Sequence, residues 1–192
     1  MWKQLGTAFR LVVVMTVLTG FIYPGLVTGL CQWVFPATAN GSLIRVNGHV
    51  VGSTLIGQNF TKPEYFHPRP SAAGNGYDAS NSGGSNYGPT NQELVHRVKD
   101  SIAEFKKANP NYQGPIPADL VTASASGLDP DISLASAEAQ AARVAAAREV
   151  PLKEVSRLID QHTERREWGF LGDPRVNVLE INLALDQQLP PR

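Results

Sequence analysis

Between Arg10 and Arg45 the chain carries no Asp, Glu, Lys, Arg or His, and residues 11–35 read LVVVMTVLTGFIYPGLVTGLCQWVF. As a helix this stretch extends about 37 Å at 1.5 Å per residue, more than the roughly 30 Å of hydrocarbon in a bilayer. Leu, Val, Ile and Phe dominate it, each favouring insertion by about 0.3–0.6 kcal/mol near the centre of a span, and no charge opposes them. The expected organisation is a cytoplasmic N-terminus over 1–10, a transmembrane helix over 11–35 and one extracytoplasmic domain over 36–192. Sidedness follows from the flanks. Lys3 and Arg10 precede the helix, no acidic residue occurs before Glu64, and positive flanks stay in the cytoplasm. Trp2 and Trp33 fall near opposite ends, where indole rings favour the headgroup layer. The alternative is a signal peptide cleaved after Ala37-Thr38-Ala39, releasing an extracytoplasmic binding module or hydrolase. Against it, the apolar run exceeds the roughly 7–15 residues of a signal core.

Three residues inside the run carry further expectations. Pro24 removes a backbone donor and predicts a kink, which membrane helices tolerate. Gly25 and Gly29 stand four apart, so another helix could approach closely along that stripe. Cys31 reads as a small apolar filler. It is the only cysteine, which excludes an intrachain disulfide and a thiolate metal cluster. Lys plus Arg and Asp plus Glu number 17 each, so no net positive field exists to hold a nucleic acid.

The remainder reads as α+β. Ser42 to Gly57 holds two β-rich runs about Asn47-Gly48, a pair that accepts the positive φ angles of a hairpin turn. Residues 61–91 are dense in Pro, Gly, Ser and Asn yet include Tyr65, Phe66, Tyr77 and Tyr87, which points to a long loop that docks. Asn91 caps an expected helix over 92–107, with Leu94, Val95, Val98, Ile102 and Phe105 on its apolar stripe. Ser133 caps an Ala-rich helix to about Arg148, and Pro151 opens another carrying Leu152, Val155, Leu158 and Ile159. Residues 174–186 fit either class: Asp173-Pro174 suggests a helix start, whereas Val176, Val178 and Ile181 favour a strand.

No catalytic constellation assembles from this pattern. The phosphate loop, the His-Glu-x-x-His pair and the Gly-x-Ser-x-Gly elbow are all missing from the sequence. His49, His67, His96 and His162 have no metal-ligand spacing. Ser124 or Ser126 with His162 and Asp129 could be drawn as a triad, but Ser and Asp are common enough to permit such drawings by chance.

Five stretches in order after the apolar run carry a resemblance. They are Gly52-Ser-Thr-Leu-Ile-Gly-Gln58, Tyr65-Phe-His-Pro-Arg-Pro-Ser-Ala72, Ser82-Gly-Gly-Ser-Asn-Tyr-Gly-Pro-Thr-Asn91, Thr122-Ala-Ser-Ala-Ser-Gly-Leu-Asp-Pro130, and His162-Thr163 followed by Gly169-Phe-Leu-Gly-Asp-Pro-Arg-Val-Asn-Val178. Nearly end to end, the chain resembles the C subunits of the Kdp potassium-transporting P-type ATPases. It departs from their usual pattern at Tyr87, Ala125, Asp131 and Arg165. The resemblance implies a non-catalytic subunit of a bacterial inner-membrane pump, with partners in the channel-like A subunit, the ATP-hydrolysing B subunit and the small F subunit. It implies no cofactor or metal of its own, ATP and potassium being handled by the complex, and a chaperone-like role that raises the B subunit's affinity for ATP. The expected docking surface is Tyr65, Phe66 and Arg69 with the loop bearing Gly83, Gly84, Ser85, Asn86, Thr90 and Asn91. Ser124, Asp129 and Phe170 come second. Arg69 stands between two prolines, which are expected to hold its guanidinium outward for a partner's carboxylate or carbonyl.

Overall fold

The computed structural model describes residues 2–190, and the chain divides into two compact units that meet in sequence between Val51 and Gly52. The first unit opens with a continuous apolar helix over Trp2–Val34, long enough to cross a membrane. It comprises α1 (Trp2–Val17), one π turn (Leu18–Ile22) and α2 (Tyr23–Val34). The helix begins well before residue 11, with Lys3 and Arg10 inside it, because no breaker separates them from the apolar run. Its side chains are exposed except for a half-buried Cys31. The π turn accounts for Pro24. Proline cannot donate to the carbonyl four residues back and its ring crowds that carbonyl, so the ladder loosens just ahead of it and the Tyr23 N–H bonds to the Leu18 carbonyl. Thr7 and Thr19 bond their hydroxyls to the Lys3 and Met15 carbonyls at 3.1 and 2.7 Å, so neither presents an unmet polar group.

A short α3 (Pro36–Ala39) follows, then β1 (Leu43–Val46) and β2 (His49–Ser53). The turn between the strands is Asn47-Gly48, with φ of 51° and 82°. The boundary between the two units falls within β2: up to Val51 the hairpin's side chains are exposed or half-buried and add nothing to a core.

The second unit is a helical layer on a small sheet. After the long loop come α4 (Gln92–Ala108), β3 (Asp131–Ser133), α5 (Leu134–Arg148), α6 (Leu152–Gln161), β4 (Thr163–Glu164), β5 (Arg175–Asn177) and α7 (Val178–Gln188). The sheet is antiparallel in the order β3-β5-β4, with Ile132 opposite Val176 and Thr163 opposite Val176. Residues 174–186 turn out to be both classes in succession. Asn177 ends β5 and caps α7, its side chain accepting from the Glu180 N–H at 3.2 Å. Asn91 and Ser133 cap α4 and α5 as expected.

The core is built from Ile132, Val144, Val155, Leu158, Ile159, Val176, Ile181 and Leu185, with alanines 137, 141 and 145 between them. Those alanines let α5 and α6 approach closely, and each fully buried Val, Leu or Ile contributes about 1.5–3 kcal/mol. The apolar stripe of α4 is less buried than its periodicity suggests. Only Phe105 is fully covered, in a second cluster with Leu120 and Ala139.

Candidate functional site

The long loop is irregular only in name, since side chains of α5 and α7 take the place of a neighbouring strand. Gln140 accepts from the His67 N–H at 2.8 Å and donates to the His67 carbonyl at 3.1 Å. Asn182 does the same for Phe66, at 2.8 and 3.0 Å. Arg143 donates to the Pro63 and Tyr65 carbonyls, to Gln140 and to Asn109. Arg148, with no exposed surface, donates to the Glu64 and Leu189 carbonyls and to Asp186, and lies 5.0 Å over the Tyr65 ring. Segment 63–67 is thereby strapped across the core. Burial lowers Arg143 to about 10. Burial, seconded by the Arg143 charge, lowers His67 below the ordinary histidine value. Burial and the bond to Asp186 raise the Tyr65 phenol.

Beyond the strap the loop knits to residues 124–130. Arg69 pairs with Asp129 at 2.7 Å, and the Tyr77 hydroxyl donates to the Arg69 carbonyl. Burial, then the Asp129 charge, raises the Tyr77 phenol. Ser71 Oγ donates to the Gly127 carbonyl at 2.6 Å and accepts from the Tyr77 N–H at 2.8 Å. The Gly83 N–H and the Ser82 hydroxyl both reach the Ser126 carbonyl. Gly127, at φ 67°, sits where the strands of loop converge: a β-carbon there would lie 2.6 Å from the Ala73 nitrogen and 2.8 Å from the Gly83 carbonyl. One at Gly84 would lie 2.9 Å from the Ala125 carbonyl. Three of the five sequence motifs are thus one interlocked surface.

This geometry sorts the candidate residues. Phe66, expected at a docking surface, is instead fully buried in the core and has no side-chain surface to offer. Arg69 finds its carboxylate within its own domain, at Asp129, rather than holding its fork outward. Tyr65 is half-buried, with its hydroxyl on Asp186 at 2.9 Å. Gly83, Gly84, Ser85 and Ser124 are half-buried, whereas Asn86, at φ 51°, and Thr90 are exposed. Asn91 is occupied as the α4 cap. Beside them the guanidinium of Arg97 covers the Tyr87 ring at 5.5 Å. Phe170 is exposed on a separate surface, the β4–β5 hairpin. On α2, a β-carbon at Gly25 or Gly29 would meet nothing within 4 Å, leaving that helix face bare. Ser124 and Ser126 face each other at 3.5 Å, while His162 closes α6.

A cleft of about 590 Å³ adjoins the knit, lined by Asp119, Asp129, Asp131 and Asp173 with Arg69 and Arg175. Arg69 pairs with Asp129, Arg166 with Asp173, and Arg175 with Asp131 at 3.1 Å and Glu164 at 2.8 Å, while Asp119 accepts from Ser133 and Ser136. Among the described residues no three His, Cys, Asp or Glu side chains gather to hold a metal ion. The arrangement offers an interlocked, shaped surface.

Sequence reasoning missed Gln140, Arg143, Arg148 and Asn182, the residues that hold the strap. The signal was present. Ser136, Gln140, Val144 and Arg148 recur every four residues on one stripe of α5, and polar residues on a buried stripe call for buried partners.

Comparison with known proteins places the whole chain. Residues 5–187 match the family model described as KdpC: K+-transporting ATPase, c chain. The potassium-transporting ATPase KdpC subunit of Koribacter versatilis is 56% identical over 191 residues, covering 99% of this chain and 97% of that relative. Its counterpart from Rhodospirillum rubrum is 57% identical over 190 residues, covering 99% and 98%. That from Myxococcus xanthus is 54% identical over 192 residues, covering 100% and 91%.

Proposed function

The chain belongs to the KdpC family, the c chain of the K+-transporting ATPase, and from that premise we propose a non-catalytic subunit that acts from outside the cytoplasm. It is anchored in the bacterial inner membrane by its N-terminal helix, with the N-terminus in the cytosol and residues 36–192 in the periplasm. It assembles with the channel-like, ATP-hydrolysing and small subunits of the pump, which handle potassium and ATP between them. Any rise in the pump's affinity for ATP is then indirect, a coupling free energy transmitted through subunit contacts.

The observation that carries this reading is the helix over Trp2–Val34, which holds Lys3 and Arg10 at its start and no charge after Arg10. An extracytoplasmic domain cannot meet cytoplasmic ATP. The interlocked loops support the rest, because they present a fixed surface for contact instead of a site for chemistry. Gly25 and Gly29 on α2 are the proposed point of helix contact in the bilayer.

Protease added to the outside of spheroplasts tests sidedness. Residues 36–192 are expected to be cut in intact spheroplasts. If they are spared until lysis, the proposed topology and the indirect coupling built on it both fall.

A further inference from the structure

The β4–β5 hairpin ends in a turn that displays an indole at a backbone angle poorly suited to it. Trp168 has φ 52° and is followed by Gly169 at φ 83°. The left-handed region crowds any β-carbon, which is why such turns favour Asn-Gly or Asp-Gly. This chain itself uses Asn47-Gly48 in its other hairpin. The turn is well fixed: Glu167 and Leu171 exchange backbone hydrogen bonds of 2.9 Å in both directions, and the Phe170 N–H donates to the Glu167 carbonyl at 3.2 Å. Trp168 is 84% exposed and Phe170 68%, with Leu171 beside them and the two rings 6.4 Å apart. None of the three joins either core cluster. The folded domain buries little of the two rings.

We propose that this tip is a docking finger whose Trp168 and Phe170 enter an apolar cleft on another protein subunit of the ATPase, with Arg165 meeting a carboxylate at its rim. The inference rests on the assembly reading above and names the surface that serves it. Charge decides between a protein and the bilayer. Glu167 adjoins the indole, Asp173 is highly exposed, and the hairpin from Thr163 to Asn177 holds three acids and three arginines, with no excess of positive charge. That set lacks the excess of Lys and Arg that anionic headgroups attract. An aromatic centre with arginine and a mixed polar rim is instead the make-up of a protein interface hot spot. Glu164 is engaged by Arg175, and Arg166 by Asp173 at 3.0 Å. Among the described residues neither Arg165 nor Glu167 forms an ion pair, so the finger presents one charge of each sign beside its rings, Arg165 being the one offered to a partner's carboxylate.

The chain has three tryptophans, so Phe at positions 2 and 33 leaves Trp168 as the sole emitter in the full-length protein. On assembly with the other subunits its fluorescence is expected to shift to shorter wavelength and to become shielded from aqueous iodide. Trp168→Gly removes the indole and relieves the backbone, so it is expected to keep or raise the melting temperature while weakening assembly at least about thirtyfold. Wild-type affinity in that variant overturns the inference. So does quenching of Trp168 by brominated lipid in vesicles holding this chain alone, which would assign the tip to the bilayer. If the wild-type chain fails to co-purify with any other subunit, the assembly reading itself falls, and the finger with it.

Discussion

A guanidinium without exposed surface must find acceptors for what it donates, and Arg148 finds three of them on two separate segments: Glu64 in the strap, and Asp186 and Leu189 at the end of α7. Removing it strands two carbonyls, takes the ion pair from Asp186 and opens a void. Arg148→Ala is therefore expected to cost about 3 kcal/mol or more, read from urea unfolding of the detergent-solubilised chain. Arg148→Lys should recover only part of this, because an ammonium lacks the planar fork that reaches three acceptors. An Ala variant as stable as wild type would show that the strap holds without it. His67 makes the same region sensitive to acid. Its ring bonds to the Lys62 carbonyl at 3.0 Å, while burial and the neighbouring Arg143 disfavour its protonation. The unfolded chain takes up that proton more readily than the folded one. Stability is thus undiminished above about pH 6.5 and declines as pH falls through the window between 6.5 and the lower folded value. Melting curves between pH 7.5 and 5 should show wild type losing more than His67→Gln; parallel curves would remove the imidazole from the account.

Among the elements, those read correctly from sequence are the ones whose determinants are local. Asn47-Gly48 sets the hairpin turn, and Asn91 and Ser133 cap their helices within a few residues. Asn177-Val-Leu-Glu180 had the spacing of a helix start, which would have resolved the strand and helix of 174–186. What was not legible depends on partners distant in sequence. Asp119 accepts from the Ser133 N–H at 2.8 Å and the Ser136 hydroxyl at 2.6 Å, reinforcing the start of α5 from fourteen residues upstream. The glycines of the loop knit looked like linker composition, whereas Gly127 is required because three backbones meet there. Gly127→Ala combines a positive φ with overlap on Ala73 and Gly83, and should cost about 2 kcal/mol or more. Hydrogen exchange localises the effect: faster exchange is expected at the Tyr77 and Gly83 amides, with α5 and α6 unchanged. Uniform acceleration across the domain would mean the loops and core unfold as one. In the apolar N-terminal helix, Pro24→Ala should return the π turn to α geometry, moving the Tyr23 N–H from the Leu18 to the Thr19 carbonyl in bicelle NMR. If the π turn persists, the proline is not its cause.

Across the whole molecule, the charge-free run and the five motifs in order pointed to the family, since both are statements about long stretches and survive uncertainty at single positions. They were weaker guides to which residues touch a partner. A motif does not distinguish a side chain that faces a partner from one that holds the loop in shape, and Phe66 and Arg69 are of the second kind. The distinction bears on how the chain could influence ATP binding. A direct role would need the knit at 65–91 and 124–130 to touch nucleotide, yet its polar groups largely bond to one another and neighbouring backbone occupies the space beside Gly84 and Gly127. An indirect role needs only that the surface stay rigid while partners rearrange. A photoreactive ATP analogue, supplied solely to the cytoplasmic face of sealed vesicles containing the assembled pump, separates the two. Labelling is expected on the ATP-hydrolysing subunit and not on residues 65–91 of this chain. Label recovered there would mean that nucleotide reaches the loop directly, and the coupling would then have to be sought in that contact instead of across the membrane.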